Sequence, residues 1–266
     1  MIGAILGDIV GSRFEFDRGD HNKDFEFITD YSEFTDDSVM TIALADALVS
    51  YRDEKDENEI KKNIINSMQY WGNKYPFAGY GARFIYWLQE KDPKPYGSYG
   101  NGSAMRVSSV GWLYDSLEET RKMARLSAEI SHNHKEGMKG AECTAAVIYL
   151  ARTGKDKAEI KRYIDKEFGY DYSESLDQMR LRHKHEESCM DSLPKALRSF
   201  FDGTNYEDVV RNAVSLGGDT DTIGAIATAI CGAMNPISDQ RIIDILQNVN
   251  GIDFEELAHK EESFIK

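Results

Sequence analysis

The sequence predicts an all-α protein, a single compact orthogonal multi-helix domain over residues 1–266 with two buried central helices of small residues. Three observations predict this. Apolar residues recur at the 3.6-residue helical period over long stretches, and alternating strand-type runs are scarce. Only five of the 266 residues are proline. Two charge-poor segments carry small residues every fourth position: Gly3, Gly7 and Gly11, then Gly224, Thr228 and Gly232 beside Ala225, Ala229 and Ala233. A glycine inside a helix costs about 1 kcal/mol relative to alanine, so glycines at fixed spacing suggest that two backbones must pack closely. No linker, repeat or low-complexity stretch divides the chain.

Taken in order, the first small-residue helix is followed by residues 24–31, the best strand candidate, which an extended loop would also explain. Residues 38–52 place Val39, Met40, Ile42, Leu44, Ala47 and Leu48 along a helix. Asp56 and Glu59 open the next helix, ahead of Ile60, Ile64, Ile65 and Met68. A glycine-rich loop precedes a short apolar helix start at 104–113. Ser116 and Glu119 form a capping box before Met123, Leu126 and Ile130, and Thr204 and Glu207 another before Val209 and Val210. Residues 223–234 form the second small-residue helix, and Asp253 with Glu256 starts the last one.

Composition narrows the function. Hydrophobic residues make up 41% and charged residues 29%, a globular profile. With 46 acidic against 32 basic side chains the formal net charge is −14, which opposes general nucleic-acid binding and anionic membranes. Cys143, Cys189 and Cys231 are widely spaced and form no CxxC pair, so a reducing, cytoplasmic setting is expected. The apolar start lacks a basic region and meets Asp8 early, which argues against a signal peptide. No apolar run nears the roughly 18 residues of a membrane helix.

Carboxylates gather where helices are expected to be buried. Thr35-Asp36-Asp37-Ser38 opens the helix at 38–52, and Gly217-Gly218-Asp219-Thr220-Asp221-Thr222 opens the second small-residue helix. Asp8 lies within the first helix and Glu15 soon after it. Capping needs one acid or hydroxyl per helix start. Here each start has two acids framed by threonines, and several uncompensated buried carboxylates repel one another. Hard divalent cations with oxygen ligands resolve that conflict. Zinc is a poor candidate, since no Cys/His cluster has its spacing.

Two further segments stand out. Tyr96 to Arg106 contains Gly97, Gly100 and Gly102, whose backbone N–H groups can approach a phosphate, with Arg106 as a nearby cation. It matches neither nucleotide-loop pattern, and an ordinary loop is the alternative. His132 and His134 follow the helix at 116–131, and read either as a C-terminal cap or as contacts to a polar ligand. His183 and His185 sit in a very polar stretch and read as a solvated helix face.

These motifs, in this order, resemble the ADP-ribosylglycohydrolase family: residues 7–15 (GDIVGSRFE), 35–38 (TDDS), 100–106 (GNGSAMR), 131–134 (SHNH) and 217–225 (GGDTDTIGA). The resemblance spans nearly the whole chain. It implies an all-α fold and a binuclear Mg²⁺ or Mn²⁺ centre (two ions) held by Thr35, Asp36, Asp37, Asp219, Asp221 and Thr222. It implies Glu15 beside the scissile bond, and it ranks Asp36 and Asp219 with Glu15 as catalytic. It also implies that Gly100, Asn101, Gly102, Ser103, Met105 and His132 bind substrate around the diphosphate and ribose. Ser38 stands where a threonine is often found, and Lys135 where proline often follows the histidine pair. Residues 165–192 match no motif of the family.

The implied reaction is hydrolysis of a glycosidic bond at the anomeric carbon, releasing ADP-ribose from a modified protein side chain or a small-molecule acceptor. Positive charge develops on the ribose in such a reaction, and an acidic pocket stabilises it. Glu15 would act as base on a water or as acid toward the leaving group. A metal-dependent nucleotide phosphohydrolase is the alternative enzyme, and a non-catalytic, crystallin-like metal-binding protein the alternative outside catalysis.

Overall fold

The computed structural model describes residues 1–182, 184–238 and 240. The described residues form helices joined by turns: α1 (Ile2–Gly11), α2 (Asp36–Ser50), α3 (Glu57–Lys74), α4 (Ala82–Gln89), α5 (Gly102–Met105), α6 (Val110–Leu113), α7 (Leu117–Glu129), α8 (Lys135–Arg152), α9 (Lys157–Glu167), α10 (Leu176–Arg180), α11 (Cys189–Asp202), α12 (Tyr206–Val214) and α13 (Thr220–Met234). Among the described residues no strand forms, and the only β-type contact is an isolated antiparallel bridge between Gly100 and Ser188. No helix among them is long and apolar enough to cross a membrane.

The small-residue helices are the centre of the molecule. α1 and α13 run antiparallel with their backbones in contact. A Cβ added at Gly3 would lie 2.4 Å from the Thr228 carbonyl oxygen, at Gly7 2.2 Å from that of Gly224, and at Gly11 2.5 Å from that of Thr220. No real side chain tolerates those distances, so glycine is required here by space and not by backbone angle. Thr220 Oγ1 donates to the Gly11 carbonyl at 2.9 Å and fastens the end of the pair. This seam separates two apolar clusters. Ile5, Leu6, Ile9 and Val10 of α1 join residues of α2, α3, α4 and α7 on one side. Ile223, Ile226 and Ile230 of α13 join α8, α9 and α11 on the other.

Local signals account for most helix starts. Asp56 Oδ1 accepts from the Asn58 and Glu59 amides, and Ser116 Oγ from that of Glu119. At Ser116 the bond from the Glu119 amide forms without its reciprocal, and full capping boxes form instead at Asp156/Glu159 and Ser175/Gln178, ahead of α9 and α10.

Several expectations need correction. α2 begins at Asp36, so both acids of the first motif lie inside its first turn. The cap of α12 is Asn205, whose side chain accepts from the Asp208 amide at 3.0 Å, one residue past the expected Thr204. Residues 24–31 form no strand; Phe25 and Phe27 pack on the core from a loop, and Arg211 Nη1 donates to the carbonyls of Lys23 and Phe25 at 2.8 Å each. The alternation recorded inward-facing aromatics on irregular chain. Residues 104–113 break into α5, a 3-10 turn at Arg106–Ser109 and α6. The start expected at Asp253 and Glu256, like His183, lies outside the described residues.

Candidate active site

The ends of the two central helices set the site. α1 stops at Gly11, and a 3-10 turn (Ser12–Phe14) delivers Glu15 beside the N-terminus of α13. The turn is stitched in place: the Phe16 amide donates to the Gly218 carbonyl at 3.1 Å, and Asp17 Oδ1 accepts from the Gly218 amide at 2.8 Å. Gly217 and Gly218 both have positive φ (69° and 79°), and a Cβ on Gly218 would lie 2.5 Å from the Lys184 carbonyl oxygen, so this double glycine is conformationally and sterically required. Ligand-capable oxygens of Glu15, Asp219 and Asp221 consequently fall within 4.8 Å of one another.

The N-terminus of α2 faces this group. Asp8, fully buried in α1, accepts from the Thr35 amide (3.0 Å), Thr35 Oγ1 (2.8 Å), the Ser38 amide (3.0 Å) and Ser38 Oγ. It clamps the 35–38 turn and thereby orients Asp36 and Asp37. Thr222 Oγ1 donates to Asp37 Oδ2 at 2.9 Å and links the two helix starts. Asn101 Nδ2 donates to Asp219 Oδ2 and, at 2.7 Å, to Ser192 Oγ.

Glu15, Asp36, Asp37, Asn101, Asp219, Asp221 and Thr222 line one open cleft of about 320 Å³. Its lining carboxylates are Glu15, Asp36, Asp37, Asp219, Asp221 and Glu187, and among the described residues its lining guanidinium groups are those of Arg83 and Arg106. The electrostatic consequence is large. Burial pushes the Asp8 carboxyl up to about 6 and that of Asp219 to about 7. Burial, reinforced by Asp221, raises Glu15 to about 8. Asp36, Asp37 and Asp221 are raised well above the usual carboxylate range, first by burial and then by neighbouring carboxylates, Asp221 and Asp8 for the first two and Asp219 and Asp8 for the third.

The donor set fits divalent cations. Among the described residues, Asp37 Oδ1 and Asp221 Oδ1 are buried with no hydrogen-bond partner. The protons of Thr35 Oγ1 and Thr222 Oγ1 go to carboxylates, which leaves hydroxyl lone pairs to accept a cation. Every donor is a hard oxygen, the chemistry suited to Mg²⁺, Mn²⁺ or Ca²⁺.

Residues 1–263 match the family model described as ADP-ribosylglycohydrolase. The chain belongs to that family. The ADP-ribosylhydrolase ARH3 of Homo sapiens is 28% identical, over 88% of this chain and 83% of that protein. The ADP-ribosylarginine hydrolase Tri1 of Pseudomonas putida (strain GB-1) is 25% identical, over 90% of this chain and 70% of its own. Among solved structures, one titled "ADP-ribosylglycohydrolase-related protein complex" superposes with a TM-score of 0.66 at 22% identity, covering 88% of this chain and 86% of the other, and shows the shared fold.

Placed against the ADP-ribosylglycohydrolase motifs, most expected site residues converge. Glu15, Asp36, Asp37, Asp219, Asp221, Thr222, Gly100, Asn101, Gly102, Met105 and His132 all line the cleft. Thr35 instead faces Asp8, and Ser103 Oγ donates to the Gly137 carbonyl at 2.7 Å, fastening the glycine loop to α8. Arg106 is turned inward, 1% exposed, donating to the Ser127 carbonyl and Ser131 Oγ. His134 caps the start of α8, its Nδ1 accepting from the Glu136 amide at 3.2 Å, so it serves as an N-cap, neither the C-terminal cap nor the ligand contact that were the two readings of the pair.

Other residues of the site gave no clear signal. Arg83 donates to the Tyr96 carbonyl and stacks on its ring, 4.5 Å from the centroid. The unmatched segment 165–192 supplies a wall: the Glu187 carbonyl accepts from the Asn101 amide at 2.9 Å, and the Cys189 amide donates to the Tyr99 carbonyl at 3.0 Å. His185 Nε2 lies 2.9 Å from Glu187 Oε1, and its ring packs 4.7 Å from Phe16, so this histidine contacts two residues that line the cleft and does not sit on a helix face.

Proposed function

We propose that this chain hydrolyses the glycosidic bond joining the anomeric carbon of ADP-ribose to an acceptor, a modified protein side chain or a small molecule. Membership of the ADP-ribosylglycohydrolase family and the names of its relatives, ARH3 and an ADP-ribosylarginine hydrolase, support ADP-ribose removal. The observation that carries the reading is the convergence of Glu15 with Asp219 and Asp221 in a cleft also lined by Asp36 and Asp37.

In this reading Thr35, Asp36, Asp37, Asp219, Asp221 and Thr222 hold two Mg²⁺ or Mn²⁺ ions. The unpartnered oxygens of Asp37 and Asp221 support it. Such ions, when bound, orient vicinal hydroxyls and lower the pKa of water. The chain's own residues do the rest. Glu15, whose carboxyl titrates near 8 among the bare carboxylates, exchanges a proton with the attacking water or the leaving group at its carboxylate oxygen. The carboxylates around it stabilise the positive charge developing on the ribose. The Gly100–Gly102 loop, which lines the cleft, would take the diphosphate against its backbone N–H groups. All three cysteines are free and buried, which suits a cytoplasmic setting.

The test is product identification after incubating a panel of ADP-ribosylated peptides and small molecules with Mg²⁺ or Mn²⁺. Free ADP-ribose and an intact unmodified acceptor are expected. Release of inorganic phosphate or AMP instead would replace this reading with a nucleotide phosphohydrolase. No product with any substrate, alongside a metal-dependent rise in melting temperature, would favour the non-catalytic reading.

A further inference from the structure

In the wall of the cleft, three buried polar side chains form a hydrogen-bonded line. Arg106 Nη2 donates to Ser131 Oγ at 2.9 Å, and Ser131 Oγ lies 2.8 Å from His132 Nδ1. Arg106 is 1% exposed, Ser131 0% and His132 5%. A guanidinium has donors only, so Ser131 Oγ accepts from Arg106 and keeps one proton to place. Among the described residues, its remaining hydrogen-bond partner is His132 Nδ1. Were Nδ1 protonated and donating to Ser131, the serine proton would be buried with no acceptor, an arrangement native proteins avoid.

We propose that Arg106 and Ser131 are positioning residues that fix His132 as its Nε2–H tautomer, presenting one aimed donor to an oxygen of the bound ligand's phosphate or ribose. The direction of the ring agrees. A Cβ on Gly102 would lie 3.1 Å from His132 Nε2, and one on Gly100 3.5 Å, so the two glycines keep this nitrogen open toward the loop lining the cleft. The charges around the ring agree too. Burial, together with the guanidinium groups of Arg106 and Arg83, holds His132 well below the usual histidine range and keeps it neutral. Arg106 therefore acts through Ser131 and not as a direct phosphate ligand. The orientation also separates the two histidines of the motif, since His134 uses its own Nδ1 to cap α8.

This inference rests on the cleft being the ADP-ribose site, but its first readout does not. In protein labelled with ¹⁵N, two-bond ¹H–¹⁵N correlation of the imidazoles should show His132 with Nδ1 bare and Nε2 protonated, without any ligand. Ser131→Ala should move the His132 Nδ1 resonance toward a tautomer mixture. It should raise the Kd for ADP-ribose about tenfold, the scale of one lost oriented hydrogen bond. Ser131→Thr, which keeps the hydroxyl, should restore both. A protonated Nδ1 in the wild type, or a Ser131→Ala protein with unchanged His132 resonances, overturns the proposal. If the wild type shows the expected tautomer yet binds no ADP-ribose, the functional reading falls while the positioning role of Ser131 stands.

Discussion

What each carboxylate does in this cleft is decided by the donors left facing it. Asp8 is met by four protein donors and serves as a clamp. Asp37 and Asp221 each keep a buried oxygen with no partner, and so remain available to a cation. Glu15 sits at the edge of the group on a short turn, positioned to move a proton. Glu15→Gln keeps the shape and one oxygen but cannot exchange that proton. We expect kcat to fall by roughly 10²–10⁴-fold. The Mg²⁺-induced rise in melting temperature should be largely retained, because Asp36, Asp37, Asp219 and Asp221 are untouched. Steady-state kinetics and thermal melts on the same preparation check this, and normal turnover would remove Glu15 from the proton-transfer role. The sequence made the two acid pairs legible because their Thr/Asp frames exceed what capping requires, and Glu15 only through the resemblance of residues 7–15 to the family motif. It hid the clamp role of Asp8 and the inward turn of Arg106, since both depend on which distant side chain arrives opposite. Arg83 and Glu187 reach the cleft only through tertiary packing, with no local pattern to announce them.

At the scale of elements, the spacing of small residues was the most informative signal. A helix face stripped of Cβ atoms has no use except close approach, and α1 against α13 shows that approach at three successive turns. The consequence is testable with matched substitutions. Gly7→Ala places a Cβ 2.2 Å from the Gly224 carbonyl oxygen, against backbone that cannot yield, and should destabilise by about 3 kcal/mol or more through overpacking. Gly232→Ala meets its nearest neighbour at 3.7 Å and should be neutral or stabilising by up to about 1 kcal/mol through helix propensity. Urea unfolding midpoints measure both, and equal effects would refute the packing account. Asp56 and Ser116 cap α3 and α7 as expected, and the cap of α12 falls one residue past the expected one. Thr204 and Asn205 are both competent caps, and the backbone entering α12 decides for Asn205. The alternation at residues 24–31 misled for a different reason. Aromatic residues pointing inward from a loop produce the same period as a strand, and only a missing partner strand tells them apart.

For the whole molecule, the acidic cleft makes stability, pH and metal one linked quantity. The usual aspartate gains stability from being charged when folded; here the sign is reversed. Glu15 titrates near 8 when folded against an ordinary value of 4.5, Asp219 near 7 and Asp8 near 6 against 3.8. Between the unfolded and folded values the native state holds protons that the unfolded chain has released. Stability from these groups is therefore present below about pH 4 and is lost progressively as pH rises toward about 8. Divalent cations held by Asp219 and the acids beside it would favour the charged form of the whole cluster, Glu15 and Asp8 included, and so restore stability at the alkaline end by mass action. Protons would displace them at the acid end. In chelator, the melting temperature should accordingly fall between about pH 5 and pH 8. With millimolar Mg²⁺ or Mn²⁺ that fall should flatten, so the metal-induced shift should grow steadily with pH. Scanning fluorimetry across this range, with and without metal, reads both curves. A metal shift independent of pH, or a chelated protein that gains stability toward pH 8, would mean that cation and protons do not share these carboxylates, and the paired-ion centre would have to be placed elsewhere.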